Sequence, residues 1–344
     1  MEEEIKEVAS KAATKTTKSA VVSESVDIDL DYLTSHTIDR DAVAQFKDIE
    51  AAVSTGTSAS VSVCCTQSGY NAKMAPLKYQ EFFKMVNSED SNYDSRKMVY
   101  KTIYDKIVET SIGDWKMTFE DWLKATSVYD METLCYGIYC ATYVNDGRYT
   151  FTCPHCKSEI NITLDHNKIQ HAADSANIQQ LAEDIAKHSN SVEDLKKYSL
   201  VLKKHETLVL PKSGIVFELR VPSLYDMLTV LKVFTDEEME VFNSENRQFM
   251  LTIILSTASV FVKVQNDDRY SRITGLKDIY KVLNNLPIQD ISVIRQKVIS
   301  TLASNHVSYS IQDVKCTNPK CGKEIKFVPL DLEEILFAHI ANLI

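Results

Sequence analysis

The stretch Cys153-Pro154-His155-Cys156 has a counterpart far down the chain, Cys316-Thr317-Asn318-Pro319-Lys320-Cys321. The residues after each are alike too. The first continues as Lys157-Ser158-Glu159-Ile160-Asn161-Ile162-Thr163-Leu164-Asp165, the second as Gly322-Lys323-Glu324-Ile325-Lys326-Phe327-Val328-Pro329-Leu330-Asp331. Each is a cysteine pair, two spacer residues, Glu-Ile, a short alternating run and Leu-Asp. The two stretches read as copies of one element, so a fold for this chain must account for both.

Three chemistries compete for these cysteines. The first is a structural metal site. Cys153, Cys156, Cys316 and Cys321 form a four-thiolate set with spacings of two and four residues, both within the zinc range. One knuckle supplies two ligands, and two knuckles facing each other complete a tetrahedron around one structural Zn2+. The second is redox. Cys-Pro-His-Cys is also the active-site tetrapeptide of DsbA-type thiol oxidoreductases, where the first cysteine sits at a helix N-terminus. Here Ile160, Ile162 and Leu164 alternate as a strand does. The third is that these are ordinary thiols with no metal. Of the other four cysteines, Cys64 and Cys65 fall on a strand and Cys135 and Cys140 on an apolar helix; all four read as core thiols. His155 lies inside the first knuckle and can hydrogen-bond a sulfur.

The surroundings repeat as well. Residues 59–65 alternate as a strand, Gln67-Ser68-Gly69 is a turn, and 70–75 return as a second strand before Pro76 and a helical pattern from Leu77 to Val86. Later, Thr207–Leu210 is a strand, Pro211–Gly214 a turn, Ile215–Val221 a returning strand, and a helix opens after Pro222. Gly69 and Gly214 are 145 positions apart, and Pro76 and Pro222 146. Residues 95–111 and 245–263 have helical period, Thr118–Lys124 resembles Gly275–Lys281, and helices at 131–143 and 290–303 lead into the cysteine elements. Asp165 and Asp331 are N-cap candidates, Asp331 with capping-box spacing to Glu334. A helix is expected from Asp165 through Ile169, Ile178, Leu181 and Ile185. The last helix, with Leu332, Ile335, Leu336, Phe337, Ile340, Leu343 and Ile344, is apolar on more than one face and suits a core or a docking surface.

This gives four segments: a flexible N-terminal arm over 1–57, a first repeat over 58–165, a helical linker over 166–204 and a second repeat over 205–344. The fold class expected is α+β, predominantly helical. Two related halves, each with a β-hairpin and a cysteine knuckle, are joined by one structural zinc. Only 8 Gly and 7 Pro occur in 344 residues, well below the average of roughly 7% and 5%, which favours long helices. The net charge of −10 argues against a phosphate-backbone binder. No apolar run reaches the ~18–20 residues of a membrane span, and the acidic start Met1-Glu2-Glu3-Glu4 is not a secretory signal. Without export, thiols or metal ligands are expected rather than disulfides. No phosphate loop, Gly-x-Ser-x-Gly or His-Glu-x-x-His is present, so no enzyme is expected. The many tyrosines, such as Tyr100, Tyr104, Tyr136 and Tyr139, sit at helical spacing as core or interface residues do.

The turn from Pro211 to Gly214, the hairpin, the helix after Pro222, the Cys-x-x-Cys-x-x-Glu-Ile knuckle and the Val328-Pro329-Leu330-Asp331 run before an apolar helix together resemble the baseplate hub proteins of contractile-tailed, T-even-type bacteriophages. The resemblance covers about residues 58–344 and leaves out the arm. It implies a non-enzymatic component of a virion tail baseplate or its assembly, made in the host cytoplasm, whose partners are other hub or tail subunits or further copies of itself. The apparent doubling departs from the simplest form of that family. A zinc-knuckle adaptor or regulator in the cytosol, binding protein or nucleic acid, is the alternative; a thiol oxidoreductase is a third.

Overall fold

β1 (Val61–Cys65) and β2 (Tyr70–Met74) form an antiparallel hairpin. Its alternation buries Val63 and Cys65 from one strand and Tyr70, Ala72 and Met74 from the other. Gly69 closes the turn at φ +78°, a left-handed backbone that suits glycine. α1 (Tyr93–Asp105) starts at Asn92, whose side chain accepts from Ser95 N–H at 2.9 Å. β3 (Ile107–Thr110) then adds to β2, with a register shift between Lys73 and Met74. α2 (Phe119–Ala125) is capped by the Thr118 hydroxyl, and α3 (Met131–Thr142) packs on β1 and β2. This computed structural model describes residues 60–81, 92–112, 117–143, 147–164, 169–172, 175–203, 205–243, 248–302, 307–332 and 335–336. The chain divides into two units, Met1–Gly56 and Thr57–Ile344. All described residues belong to the second unit, and the expected arm lies outside them.

β4 (Gly147–Thr152) and β5 (Glu159–Leu164) form a second hairpin, followed by the short β6 (Gln170–Ala172), α4 (Ser175–His188) and α5 (Val192–Tyr198). β7 (Glu206–Val209) and β8 (Val216–Leu219) make a third hairpin, with Gly214 at φ +67° in its turn. α6 (Leu224–Val233) opens with a capping box between Ser223 and Asp226. α7 (Asp236–Asn243) and α8 (Gln248–Ser256) lead to β9 (Thr257–Lys263), which pairs with β8, again with a register shift, between Glu218 and Leu219. β10 (Tyr270–Ile273) extends this sheet; α9 (Leu276–Asn285) and α10 (Ile288–Lys297) come next. β11 (Ser308–Lys315) and β12 (Glu324–Leu330) form the last hairpin, with β6 on the other edge of β11.

One acidic contact recurs. Asp130, buried, accepts from Ser68 N–H at 2.7 Å, Ser68 Oγ–H at 2.6 Å and Gln67 N–H at 3.4 Å. Asp290, also buried, accepts from Lys212 N–H at 3.1 Å and Ser213 N–H at 2.9 Å. Each carboxylate thus ties down the turn residues just before the left-handed glycine. The surroundings differ. Gln67 and Ser68 are buried; Gly69 C=O accepts from Ser189 Oγ–H and Gln67 C=O from Leu200 N–H. Pro211–Gly214 is exposed.

Two apolar cores form. One gathers β1–β3, α1–α3, both knuckle hairpins and Leu332, Ile335 and Leu336. The other is built from residues 210–298. The β11–β12 hairpin therefore packs onto the first core, with Tyr309 stacked on Tyr136 at 4.6 Å and its hydroxyl 3.1 Å from Thr133 Oγ1. The rest of the closing helix, beyond Leu336, lies outside the described residues.

Several expected helices are shorter than their periodicity suggests. The helix expected over 95–111 stops at Asp105, and the one over 245–263 stops at Ser256; β3 and β9 take the remainder. In both places an apolar run fits either period, and pairing onto the hairpin decides for strand. The helices expected at 131–143 and 290–303 are present, as α3 and as α10 continued by a π-helical turn over Val298–Leu302, and strands β4 and β11 stand between them and the cysteine pairs. The helix expected from Asp165 onward is interrupted by β6, because β11 offers it a free edge; Asp165 itself lies outside the described residues. The result is a mixed helix-and-sheet fold, with twelve strands among the described residues.

The turns and their carboxylates supply two tests. A Cβ on Gly69 would lie 2.5 Å from Ser199 N and 2.8 Å from Tyr198 C, whereas a Cβ on Gly214 meets nothing within 4 Å. Gly214→Ala should cost only the left-handed strain, about 1–2 kcal/mol, and Gly69→Ala distinctly more, measured by urea unfolding. Equal losses would contradict the close approach. For Asp130, burial pushes the carboxyl up to about 6 against the pull of its Ser68 and Gln67 hydrogen bonds. A raised folded value means stability present below the ordinary carboxylate range and lost as pH rises through about 6. Wild type should therefore lose on the order of 2 kcal/mol relative to Asp130→Asn between about pH 4 and pH 7. Parallel pH–stability curves would refute it.

Candidate metal centre

Each cysteine pair sits at the tip of a hairpin, the first between β4 and β5 and the second between β11 and β12. The loops are built alike. Cys153 N–H donates to Ser158 C=O at 2.8 Å and Cys316 N–H to Lys323 C=O at 2.9 Å, so the first cysteine is held across the loop mouth in both. The residue after the second cysteine is left-handed in both, Lys157 at φ +61° and Gly322 at φ +55°. Backbone N–H groups then turn inward: Lys157 N–H to Cys153 C=O at 2.9 Å, and Cys321 and Gly322 N–H to Asn318 C=O at 2.9 and 3.0 Å.

The two tips meet. The Sγ atoms of Cys153, Cys156, Cys316 and Cys321 all lie within 4.8 Å of one another, Cys153 and Cys316 buried and the other two partly so. Cys156 Sγ and Cys316 Sγ are 3.7 Å apart. A tetrahedral ion with metal–sulfur bonds of about 2.3 Å has S···S edges of about 3.8 Å, so the cluster has the dimensions of a four-thiolate site. Four protein ligands leave no open coordination position, which suits holding rather than catalysis.

Two polar side chains join the knuckles. Asn318 Nδ2–H donates to Ser158 Oγ at 2.7 Å and lies 3.9 Å from Cys156 Sγ. Ser158 Oγ is 3.3 Å from Cys156 Sγ. Hydrogen bonds from the Ser158 side chain and backbone pull the Cys156 thiol down to about 6, while desolvation pushes Cys316 up to about 12. Sequence reasoning on ligand spacing passes over both Asn318 and Ser158, because neither is a ligand; their signal is their position as knuckle spacers.

The remaining predicted residues separate cleanly from this site. His155 is exposed and not in the cluster. Cys65 and Cys135 are buried and Cys64 and Cys140 partly buried. Burial raises Cys64 to about 12, Cys140 to about 11 and Cys65 well above the usual thiol range, as expected of inert packed thiols. The redox chemistry considered for Cys-Pro-His-Cys needs a helix N-terminus, and a strand stands on either side of it.

The family described as T4 bacteriophage base plate protein matches residues 58–337, most of the chain. The chain belongs to that family. The T4-type base plate resemblance carried by the motifs is thus correct at the level of the family. No curated protein and no solved structure matches. As a T4-type base plate protein it is a structural component of a phage tail, located in the virion tail and meeting other tail components. Among the described residues, no helix of this base plate protein is long and apolar enough to cross a membrane.

The thiol chemistry of the metal-free chain gives a test of the geometry. At about pH 7, iodoacetamide should label Cys156 before Cys64 or Cys140, because hydrogen bonding favours its thiolate while burial raises theirs. Ser158→Ala should slow that labelling several-fold, read by peptide mass spectrometry. First labelling at Cys64 or Cys140 would contradict the assignment.

Proposed function

We propose that this base plate protein is a non-enzymatic structural or assembly component of the baseplate hub, built as two copies of one unit clamped by a single zinc. Its segments are an arm over 1–57, a first copy over 58–165, a linker over 166–204 and a second copy over 205–344. Cys153, Cys156, Cys316 and Cys321 are the ligands. The body so fixed presents its helices and its arm to neighbouring hub or tail subunits, after assembly in the host cytoplasm.

The convergence of four sulfurs from hairpins 160 residues apart carries this reading. The doubling has its own support. Both copies contain a hairpin turned at a left-handed glycine, a third strand with a register shift at its partner, a buried aspartate holding the turn, and a knuckle hairpin with a left-handed residue after its second cysteine. Gly69 and Gly214 are 145 positions apart, as are the shifted residues Met74 and Leu219. In the knuckles the chain's own residues do the holding. Soft thiolates bind the ion, the loop N–H groups fix the cysteine backbones, and the Asn318–Ser158 contact ties one tip to the other.

Metal analysis with thiol titration tests the clamp. One zinc per chain is expected, with four thiols protected until the metal is chelated. Structural zinc binds with on the order of 10 kcal/mol, so Cys153→Ser with Cys316→Ser should cost several kcal/mol of stability. A metal-free chain with an unchanged unfolding midpoint in that double variant rejects the clamp. Placement in the hub is tested in the phage: inactivating the gene should leave tails without assembled baseplates, and normal baseplates would reject the role.

A further inference from the structure

The two sheets that grow from the left-handed glycine turns differ on their outer faces. The first sheet is covered on both sides. α3 takes the face of Val63 and Met74, so closely that a Cβ on its Gly137 would lie 2.9 Å from Val63 Cγ1 and 2.7 Å from Met74 Cγ. α4 packs on β1 and β2 as well, and its Ile185 is fully buried yet belongs to neither apolar core. α4 therefore lies on the opposite face, where the paired residues Cys64 and Asn71 are half-buried.

The same positions of the second sheet hold apolar side chains open to solvent. Val209 and Val216 stand five residues before and two after Gly214, as Cys64 and Asn71 stand about Gly69. Phe217, Leu219 and Val260 point into the second core, so the pleat turns Val209, Val216 and Phe261 outward. These three pair in a row across the sheet, Val209 with Val216 and Val216 with Phe261. Arg272 on β10 continues the row, its guanidinium 5.6 Å from the centre of the Phe261 ring. Val209 is 64% exposed, Tyr270 on the same face 52%, and Val216 and Phe261 are half-buried. An antiparallel sheet can leave a polar face in water, but this row is apolar over three strands. Four strands about 4.8 Å apart make it about 14 Å long, the length of about ten helical residues.

The charges on this face favour an acidic partner. Glu218 is already met by His205 Nδ1 at 3.0 Å, by Ser259 Oγ–H and by Arg272 Nη2 at 3.1 Å. Lys263, two residues beyond Phe261 and so on the same face, meets Asp268 at 3.2 Å in a pair exposed on both sides, which an incoming carboxylate can replace at little cost. We infer that the outer face of the β7–β10 sheet is a docking site for an amphipathic helix of another tail protein. That helix lays apolar residues three and four apart on Val209, Val216 and Phe261 and turns carboxylates toward Lys263 and Arg272, seated as α4 is seated on the first sheet. Neither zinc binding nor a common origin of the two halves is needed for this contact, only the two sheets as they stand.

Photocross-linking in purified tails tests the contact. A p-benzoylphenylalanine placed at Tyr270 during infection should join this chain to a different protein. The cross-linked peptide, read by mass spectrometry, should have apolar residues three and four apart and acidic flanks. The same group placed at Lys281, an exposed position on α9, gives the background. Val209→Asp should lower the Tyr270 yield several-fold while the free chain keeps its circular dichroism and unfolding midpoint, because Val209 is exposed. Lys263→Glu should lower the yield as well, and Lys263→Arg should leave it at the wild-type level. A cross-link to a second copy of this chain, a cross-linked peptide without the helical apolar pattern, or a yield no higher than at Lys281 overturns the proposal. So does a Tyr270 yield that Val209→Asp and Lys263→Glu leave unchanged.

Discussion

The packing of the β11–β12 hairpin on the first core is the constraint on which the rest of the architecture depends. That hairpin comes after every strand and helix of the second core, yet Tyr309 stacks on Tyr136 and Ile325, Val328 and Leu330 are buried with residues of β1–β3 and α3. Only because the hairpin crosses over does its tip reach the tip of β4–β5. The four sulfurs then fall within one small volume. Were the hairpin to pack on the second core instead, each knuckle would hold two thiols and the four-sulfur cluster would not form.

The two aspartates show how one local device behaves in two surroundings. Asp130 and Asp290 do the same job, accepting turn N–H groups that would otherwise be stranded. Asp130 does it beneath Ser189 and Leu200, and desolvation outweighs its hydrogen bonds. Asp290 faces an exposed turn, and the Ser213 and Lys212 bonds win over desolvation, leaving its carboxyl below the usual range. The chemistry of the contact is unchanged; the dielectric around it sets the sign of the shift.

Much of this is legible in the residues. The shared tail after the cysteine pairs marks the knuckles, and the glycine spacing marks both hairpin turns, because left-handed turns and clustered thiols demand particular residue types. Strands β3 and β9 read as helix by periodicity alone, since Ile107-Val108 and Val260-Phe261-Val262 extend an apolar helical pattern and only pairing with the neighbouring hairpin makes them strand. β6 reads as helix for the same reason, its partner being some 140 residues away. Asn318 and Ser158 carry no ligand signature at all. Their importance lies in a contact between loops, which no local pattern encodes.

The division of the cores also bears on the order in which the chain can fold. The buried residues of the second core all fall within 210–298, with Tyr129, Leu200, Val201 and Leu208 packed against them from outside that stretch. The first core, although it begins at Val63, needs residues 307–336 before its apolar surface is covered. During synthesis α3 and the β1–β2 hairpin therefore stay partly unclothed until residues 307–336 have emerged. Long-range closure of this kind is slow and leaves surface open to aggregation, so the ribosome-bound chain is the stage at which this molecule has most need of a chaperone.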